Sequence, residues 1–275
     1  MTLRDLLVRS RPRFWFYLAG PVLVGVAFGA RSVADLFAVP ALALFAYFLV
    51  PANVFLYGVN DTFDADTDRY NPKKEGREAR YGGERATPLA ALAGGLLGVA
   101  LLAVLPRAAW PWVVGFLVLG AAYSVPPARL KARPPLDSLS NGLYVLPGAA
   151  AYAAFTGGGP PVLALAGAWL WAMGMHTFSA IPDIAPDRRA GVETLATTLG
   201  HRGALVYCGG CWTLSAAVFA VLDPRAGLLL LVYPLLALVV HVGPAVERAY
   251  WWFPAINTAV GACFTLAGLW GVVYG

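Results

Sequence analysis

Charge is scarce in this sequence. Only 13% of its 275 residues are Asp, Glu, Lys or Arg, whereas soluble domains carry about 25%. Too few charges remain to cover an ordinary solvated surface, and 59% hydrophobic residues point to a chain built for lipid. Cysteine is scarce as well. Three cysteines exclude a disulfide framework, and the single C-x-x-C, Cys208 to Cys211 in "CGGC", lies in an apolar run without a second pair. Its small residues suit close helix packing better than zinc or redox chemistry. Of three histidines, His201 and His241 stand at segment ends and belong to no constellation. A phosphate loop is also missing. "TGGGPP", residues 156–161, has neither the Lys nor the strand–helix context and reads as an exterior turn.

Long apolar runs are abundant. Nine are visible, at about 14–30, 36–58, 88–106, 109–125, 139–156, 161–181, 204–222, 226–243 and 252–273. Runs of roughly 17–25 residues are long enough to cross a bilayer core. They lack strand alternation, and backbone groups in lipid must be satisfied within the segment, so they read as helices. The expected architecture is an all-α polytopic membrane protein in which 1–275 form a single domain. A cleaved signal peptide competes for the first run, since basic residues precede it and "AFGA" resembles a cleavage site.

The sparse charges have a sidedness. When alternate loops are assigned to opposite faces, every Lys and Arg but Arg31, Arg107 and Arg225 falls on the N-terminal side. The positive-inside rule then places the protein in the cell membrane with its N-terminus in the cytoplasm and, after nine crossings, its C-terminus outside. The net charge of +5 therefore reports topology and gives no sign of nucleic-acid binding. The nine Trp mostly fall near segment ends, as an interfacial belt requires.

Against this background, "NDTFDADTDRYNPKKE" at 60–75 places four aspartates directly after an uncharged stretch. A second cluster, "IPDIAPDRRAGVET", follows the sixth run. Both contain Asp-x-x-x-Asp-Arg, at Asp64/Asp68/Arg69 and Asp183/Asp187/Arg188, four runs apart on the same expected face. That recurrence suggests two four-helix pseudo-repeats with a ninth helix appended. If the second helix continues through its motif, Asn53, Tyr57, Asn60, Asp61, Asp64 and Asp68 share a face, whereas Asp66 points away. Pro182 and Pro186 make the second motif less regular.

Five carboxylates aimed at one cavity (Asp61, Asp64, Asp68, Asp183, Asp187) repel one another unless they are protonated or bind divalent cations. Hard oxygen donors suit Mg²⁺, which keeps waters and is completed by substrate phosphates. Lys73, Lys74, Arg77, Arg129, Lys131 and Arg188 surround the motifs, so metal-binding carboxylates and phosphate-binding cations together describe a diphosphate site. An EF-hand loop matches Asp64, Asp66, Asp68 and Glu75 at positions 1, 3, 5 and 12, but Arg69 stands where that loop needs Gly. A transporter also combines repeats with charged groups, although its site lies near the midplane on broken helices.

The pairing of Asn60-Asp61-x-x-Asp64-x-x-x-Asp68 with Asp183-x-x-x-Asp187 resembles the signatures of the UbiA superfamily of intramembrane prenyltransferases, over nearly the whole chain. The resemblance implies nine helices in a ring around a lipid-facing cavity. It also implies an isoprenyl diphosphate held with Mg²⁺, two ions, by the aspartates of both motifs. "SRPRFW", "YGVNDTFDADTDRYNPKK", "YSVPPARLKARPPLD" and "IPDIAPDRRAGVETLATTLG" are similar to the lycopene elongase branch. That branch implies dimethylallyl diphosphate as donor and lycopene as acceptor, in C50 carotenoid synthesis. The aromatic-acceptor branch remains the alternative; a quinone precursor needs a polar seat, whereas a carotenoid needs only an apolar groove.

The resemblance also implies the chemistry: departure of diphosphate, an allylic cation kept from water, and attack by the acceptor double bond. Tyr57, Tyr123 and Tyr144 are candidates to shield the cation with their π faces. Arg129 and Lys131 match the family's basic loop and are expected on phosphate, with Lys73, Lys74 and Arg188 as further candidates. Asn60 is expected to orient a ligand or the diphosphate. Asn53 is either an interior polar group or part of the site. His176, seven residues before Asp183, either faces the cavity or is a satisfied interior histidine.

Overall fold

The computed structural model describes residues 7–8, 10–64, 83–243 and 246–275, and among them the only regular secondary structure is helical. The α-helices are α1 Trp15–Gly29, α2 Val39–Leu49, α3 Pro51–Asp64, α4 Ala86–Leu101, α5 Trp110–Ser124 and α6 Leu136–Leu139. They continue with α7 Leu146–Thr156, α8 Val162–Ala180, α9 Ile184–Arg189, α10 Leu195–Leu222, α11 Pro224–Leu230, α12 Val232–Val242 and α13 Val246–Tyr274. Each of the nine apolar runs is helical over most of its length. Among the described residues, six helical stretches are long and apolar enough to cross a membrane: Val39–Asp64, Ala86–Val104, Val162–Arg189, Leu195–Leu222, Pro224–Val242 and Val246–Tyr274. Many of their large apolar side chains are exposed, including Leu89, Leu92 and Leu96 on α4 and Val206, Leu214 and Val221 on α10. Lipid is the solvent for which such a surface is suited.

The chain divides into two compact units. The first comprises Met1–Ala128, Leu143–Pro160 and Gly261–Gly275, and the second comprises Arg129–Gly142 and Pro161–Val260. The sequence repeat suggested a division after the fourth run; α7, from the fifth run, instead packs with the first unit.

Within the first unit, α1 packs on α7 through glycine. A Cβ on Gly25 would collide with the carbonyl oxygen of Gly148, and one on Gly148 would lie 2.7 Å from the carbonyl oxygen of Pro21. Backbones meet this closely only where side chains are absent, the usual device of helices without a hydrophobic drive between them. Phe116 of α5 packs edge-on against Phe48, with ring centroids 5.0 Å apart. The second apolar run breaks at Val50, because Pro51 supplies no N–H to the preceding turn. Asn53 repairs the break: its Nδ2 donates to the carbonyls of Phe48 and Leu49, each at 3.0 Å. Asn53 is fully buried.

In the second unit, α8 and α10 form the main pair. Ser215 donates to the Gly167 carbonyl at 2.8 Å, and Trp212 donates to that of Trp171 at 3.2 Å. Phe178, Trp212, Tyr233 and Phe253 make a buried aromatic cluster with Phe178 and Phe253 centroids 5.0 Å apart. Cys208 and Cys211 are buried, unbonded thiols on α10, as a packing surface requires. Gly200 interrupts α10 at φ 68°, ψ 176°, a conformation available essentially to Gly alone.

Overpacking the α1–α7 crossing should be costly. Gly25→Leu is expected to destabilise the protein by about 1–3 kcal/mol in thermal unfolding. Gly271→Leu, where a Cβ meets nothing within 4 Å, should leave Tm unchanged. Equal effects from the two would contradict this packing.

Candidate active site

The first aspartate motif rides on α3. The helix runs through Asn60, Asp61 and Asp64 before its last described residue, so the one-face arrangement expected from spacing applies to these three. Asp61 is 1% exposed. An isolated carboxylate buried to that degree would bind a proton or seek a cation. Here Arg11 supplies the cation: its Nη2 donates to Asp61 Oδ1 at 2.9 Å. The same guanidinium lies 4.5 Å from the centroid of the Tyr57 ring, adding a cation–π contact to the ion pair.

Arg11 is held where it is needed. Its backbone is left-handed (φ 51°, ψ 73°) and opens a 3₁₀ turn, Pro12–Phe14. That conformation costs a non-glycine residue roughly 1–2 kcal/mol. Fully buried Ser10 anchors the approach, accepting from Trp15 Nε1 at 2.9 Å and donating to the Leu7 carbonyl at 2.7 Å. Charge counting had assigned Arg11 to topology alone. Its pairing with a residue 50 positions away has no local signal in the sequence.

Aromatic rings continue from Asp61 along the first unit. Phe14 lies 6.1 Å from Tyr57 and 5.3 Å from Tyr17, and Tyr17 meets Tyr144 edge-on at 6.1 Å. Tyr57 and Tyr144, both expected to screen a cation, therefore belong to one aromatic group that also includes Tyr17, a residue the spacing did not indicate. Tyr123 sits half-buried in the last turn of α5. Its neighbour Ser124 donates to Asn60 Oδ1 at 3.1 Å, tying α3 to α5 and fixing the Asn60 amide.

The second motif belongs to the second unit. Asp183 ends a 3₁₀ turn, Ile181–Asp183, and is the N-cap residue of the short α9; Asp187 follows one helical turn later. Prolines at 182 and 186 shape this broken path. Arg188, expected on phosphate, donates through Nη2 to the Thr197 carbonyl at 2.7 Å and so braces α9 against the first turn of α10. Arg129 is left-handed (φ 38°, ψ 54°) and leads into the Leu130–Ala132 turn carrying Lys131. Two non-glycine residues in the described chain have positive φ, and both are arginines beside a motif or basic loop. Strain of this kind is characteristic of functional sites.

Asp68, Lys73 and Lys74 lie outside the described residues, as does Arg77. Among the described residues no three His, Cys, Asp or Glu gather into a metal cluster. Each motif nevertheless presents two carboxylates at helical spacing, without thiol or imidazole, which is a donor set for a hard cation with water and phosphate oxygens completing the shell. Asp61 also already holds a cationic group, the Arg11 guanidinium. The residues present fit Mg²⁺.

The sequence profile of the UbiA prenyltransferase family matches residues 18–273. The lycopene elongase/hydratase of Halobacterium salinarum is 62% identical over 274 residues, 99% of each chain. That of Haloferax volcanii is 61% identical over 271 residues, covering 98% of this chain and 90% of the relative. The fold is similar to a UbiA homolog from Archaeoglobus fulgidus, solved with DMAPP and Mg²⁺, at a TM-score of 0.75 and 22% identity over 96% of this chain and 98% of that one. The transporter reading is thereby set aside: the chain belongs to the UbiA prenyltransferase family.

Proposed function

We propose that this prenyltransferase moves a dimethylallyl group from its diphosphate to lycopene, with Mg²⁺, as a step in making C50 carotenoids. The observation that carries the reading is near-full-length identity of 61–62% to two lycopene elongase/hydratases, in a chain holding both aspartate motifs. In this reading Asp61, Asp64 and Asp68 hold one ion and Asp183 and Asp187 the other. Bound Mg²⁺ supplies positive charge against the departing diphosphate.

The chain's own residues do the rest. Lys131 and Arg129 hold phosphate oxygens, with Lys73 and Lys74 as further cations. Arg11 orients the Asp61 carboxylate that would hold metal. Tyr57 and Tyr144, with Tyr17 and Tyr123, face the allylic cation with electron-rich rings and keep water from it. Asn60, fixed by Ser124, orients a ligand.

The same proposal includes one domain of nine crossings arranged as a ring, with the N-terminus and both motifs cytoplasmic and the C-terminus outside. Three crossings need more than their α-helix. Trp15–Gly29 and Trp110–Ser124 have 15 residues each, but the 3₁₀ turns Pro12–Phe14 and Arg107–Ala109 run directly into them. Each then has length for about 28 Å, near the bilayer core. Leu146–Thr156 is preceded along the chain by the helical pieces Leu136–Leu139 and Ser140–Tyr144.

Three outcomes follow for purified protein. Asp64→Asn and Asp183→Asn should each lower Mg²⁺-dependent release of diphosphate from dimethylallyl diphosphate in the presence of lycopene by at least ~100-fold with Tm preserved; activity near wild type would remove the motif from the site. Lys131→Ala should raise the donor KM about tenfold, the equivalent of roughly 1.4 kcal/mol, and an unchanged KM would release Lys131 from phosphate binding. Arg11→Gln should cost roughly 1–3 kcal/mol in thermal unfolding without metal, by removing the guanidinium that donates to Asp61. Added Mg²⁺ should recover much of that loss; a variant as stable as wild type without metal would contradict the role of Arg11.

A further inference from the structure

The basic turn and the second aspartate motif both belong to the second unit, and one buried carboxylate ties them together. The Leu130–Ala132 turn, which carries Lys131, is joined to α6 through backbone bonds. Arg133 donates its N–H to the Leu130 carbonyl at 3.1 Å, and its own carbonyl accepts from Leu136 at 2.6 Å and Asp137 at 3.2 Å. Asp137, the second residue of α6, is 1% exposed. Its Oδ2 accepts the backbone N–H of Leu195 at 2.7 Å.

Leu195 is the first residue of α10, where backbone N–H groups lack partners inside the helix. The N-cap residue Thr194 satisfies one of them, its hydroxyl accepting from the Thr197 N–H at 3.2 Å. Asp137 does the same for Leu195 from 58 residues away. A negative charge suits this end of a helix, and a carboxylate withdrawn from water makes the stronger hydrogen bond.

The same turn of α10 also grips the second motif. The Thr197 carbonyl accepts from Arg188 Nη2 at 2.7 Å, and Arg188 directly follows Asp187 on α9. A short path of bonds thus runs from the basic turn through Asp137 and the start of α10 to Asp187. On its other side α6 rests against α8, the helix that leads to Asp183. Ser138 donates to the Met173 carbonyl at 3.2 Å and accepts from Thr177 at 3.1 Å, and Trp169 donates to the Leu139 carbonyl at 2.9 Å. His176 of α8 has its Nε2 4.0 Å from Asp137 Oδ2, beyond hydrogen-bond range. The bonds to α8 seat α6, and Asp137 sets how it meets α10.

We infer that Asp137 is a positioning residue for donor binding: it holds the basic turn at the start of α10 and so fixes Lys131 relative to Asp187. This rests on the reading above, in which Lys131 holds phosphate and the second motif holds metal. One diphosphate can engage both only if their separation is set in advance, and positioning of that kind is lost when a supporting contact goes. Asp137 acts through Lys131 and takes no part in the bonds that form or break.

The test uses the full-length purified enzyme with dimethylallyl diphosphate, Mg²⁺ and lycopene. Asp137→Ala should raise the donor KM about tenfold, the scale of one lost hydrogen bond, with the KM for lycopene unchanged. Asp137→Asn keeps an acceptor oxygen for the Leu195 N–H and should restore the donor KM to within about threefold of wild type. A general loosening of the fold would raise both KM values. Combined with Lys131→Ala, Asp137→Ala should add little, because the two act on one contact; fully multiplicative effects would overturn the inference. Should Asp137→Ala fail to fold, Leu195→Pro removes the same N–H at a helix position that proline fits, and should raise the donor KM equally. A wild-type donor KM in these variants, with a raised one in Lys131→Ala, would overturn the role of Asp137. An unchanged donor KM in Lys131→Ala itself would instead overturn the phosphate reading on which that role rests.

Discussion

A carboxylate placed at the end of an apolar helix must be compensated, and the region around Asp61 follows from that constraint. The residue is 1% exposed, a position in which an unpaired charge would be expelled or neutralised. The chain answers with Arg11, held in a strained left-handed turn and clamped by Ser10 and Trp15. The Arg11 guanidinium also draws Tyr57 under it, and Tyr57 leads to Phe14, Tyr17 and Tyr144. Charge compensation and an aromatic wall thus come from one arrangement. An ion pair of this kind is poor evidence for stability by itself. Its value here is that it fixes the position of the Asp61 carboxylate.

Local relations within the candidate site were legible in the sequence. Spacing along a single helix placed Asn60, Asp61 and Asp64 together, because α3 does continue through the motif. The prolines at 182 and 186 foretold an irregular second motif, seen as a 3₁₀ turn leading into a six-residue helix. Apolar run length located the helices, though α10 and α13 begin several residues before their runs, at Leu195 and Val246. Polar residues in a last or first helical turn dilute an apolar average without ending the helix.

What the sequence concealed were partners far apart along the chain. Arg11 looked like one more cytoplasmic charge, and nothing near it announces Asp61. Arg188 looked like a phosphate ligand, yet it reaches the Thr197 carbonyl on the neighbouring helix. Asn53 shares the face of the motif, but its amide donates to the Phe48 and Leu49 carbonyls at the break before Pro51. Asp137 carried no motif at all; its link to Leu195 across 58 residues is a tertiary fact. Helix periodicity assigns faces, and only packing assigns what each face meets.

The central claim, lycopene elongation, is tested most directly by pigment mass. The chain would be expressed in a host that accumulates lycopene and supplies dimethylallyl diphosphate, with an empty vector as control. The account predicts new carotenoids heavier than lycopene by one or two C5 units, with or without added water. Unchanged lycopene in the presence of well-expressed, folded enzyme would contradict it.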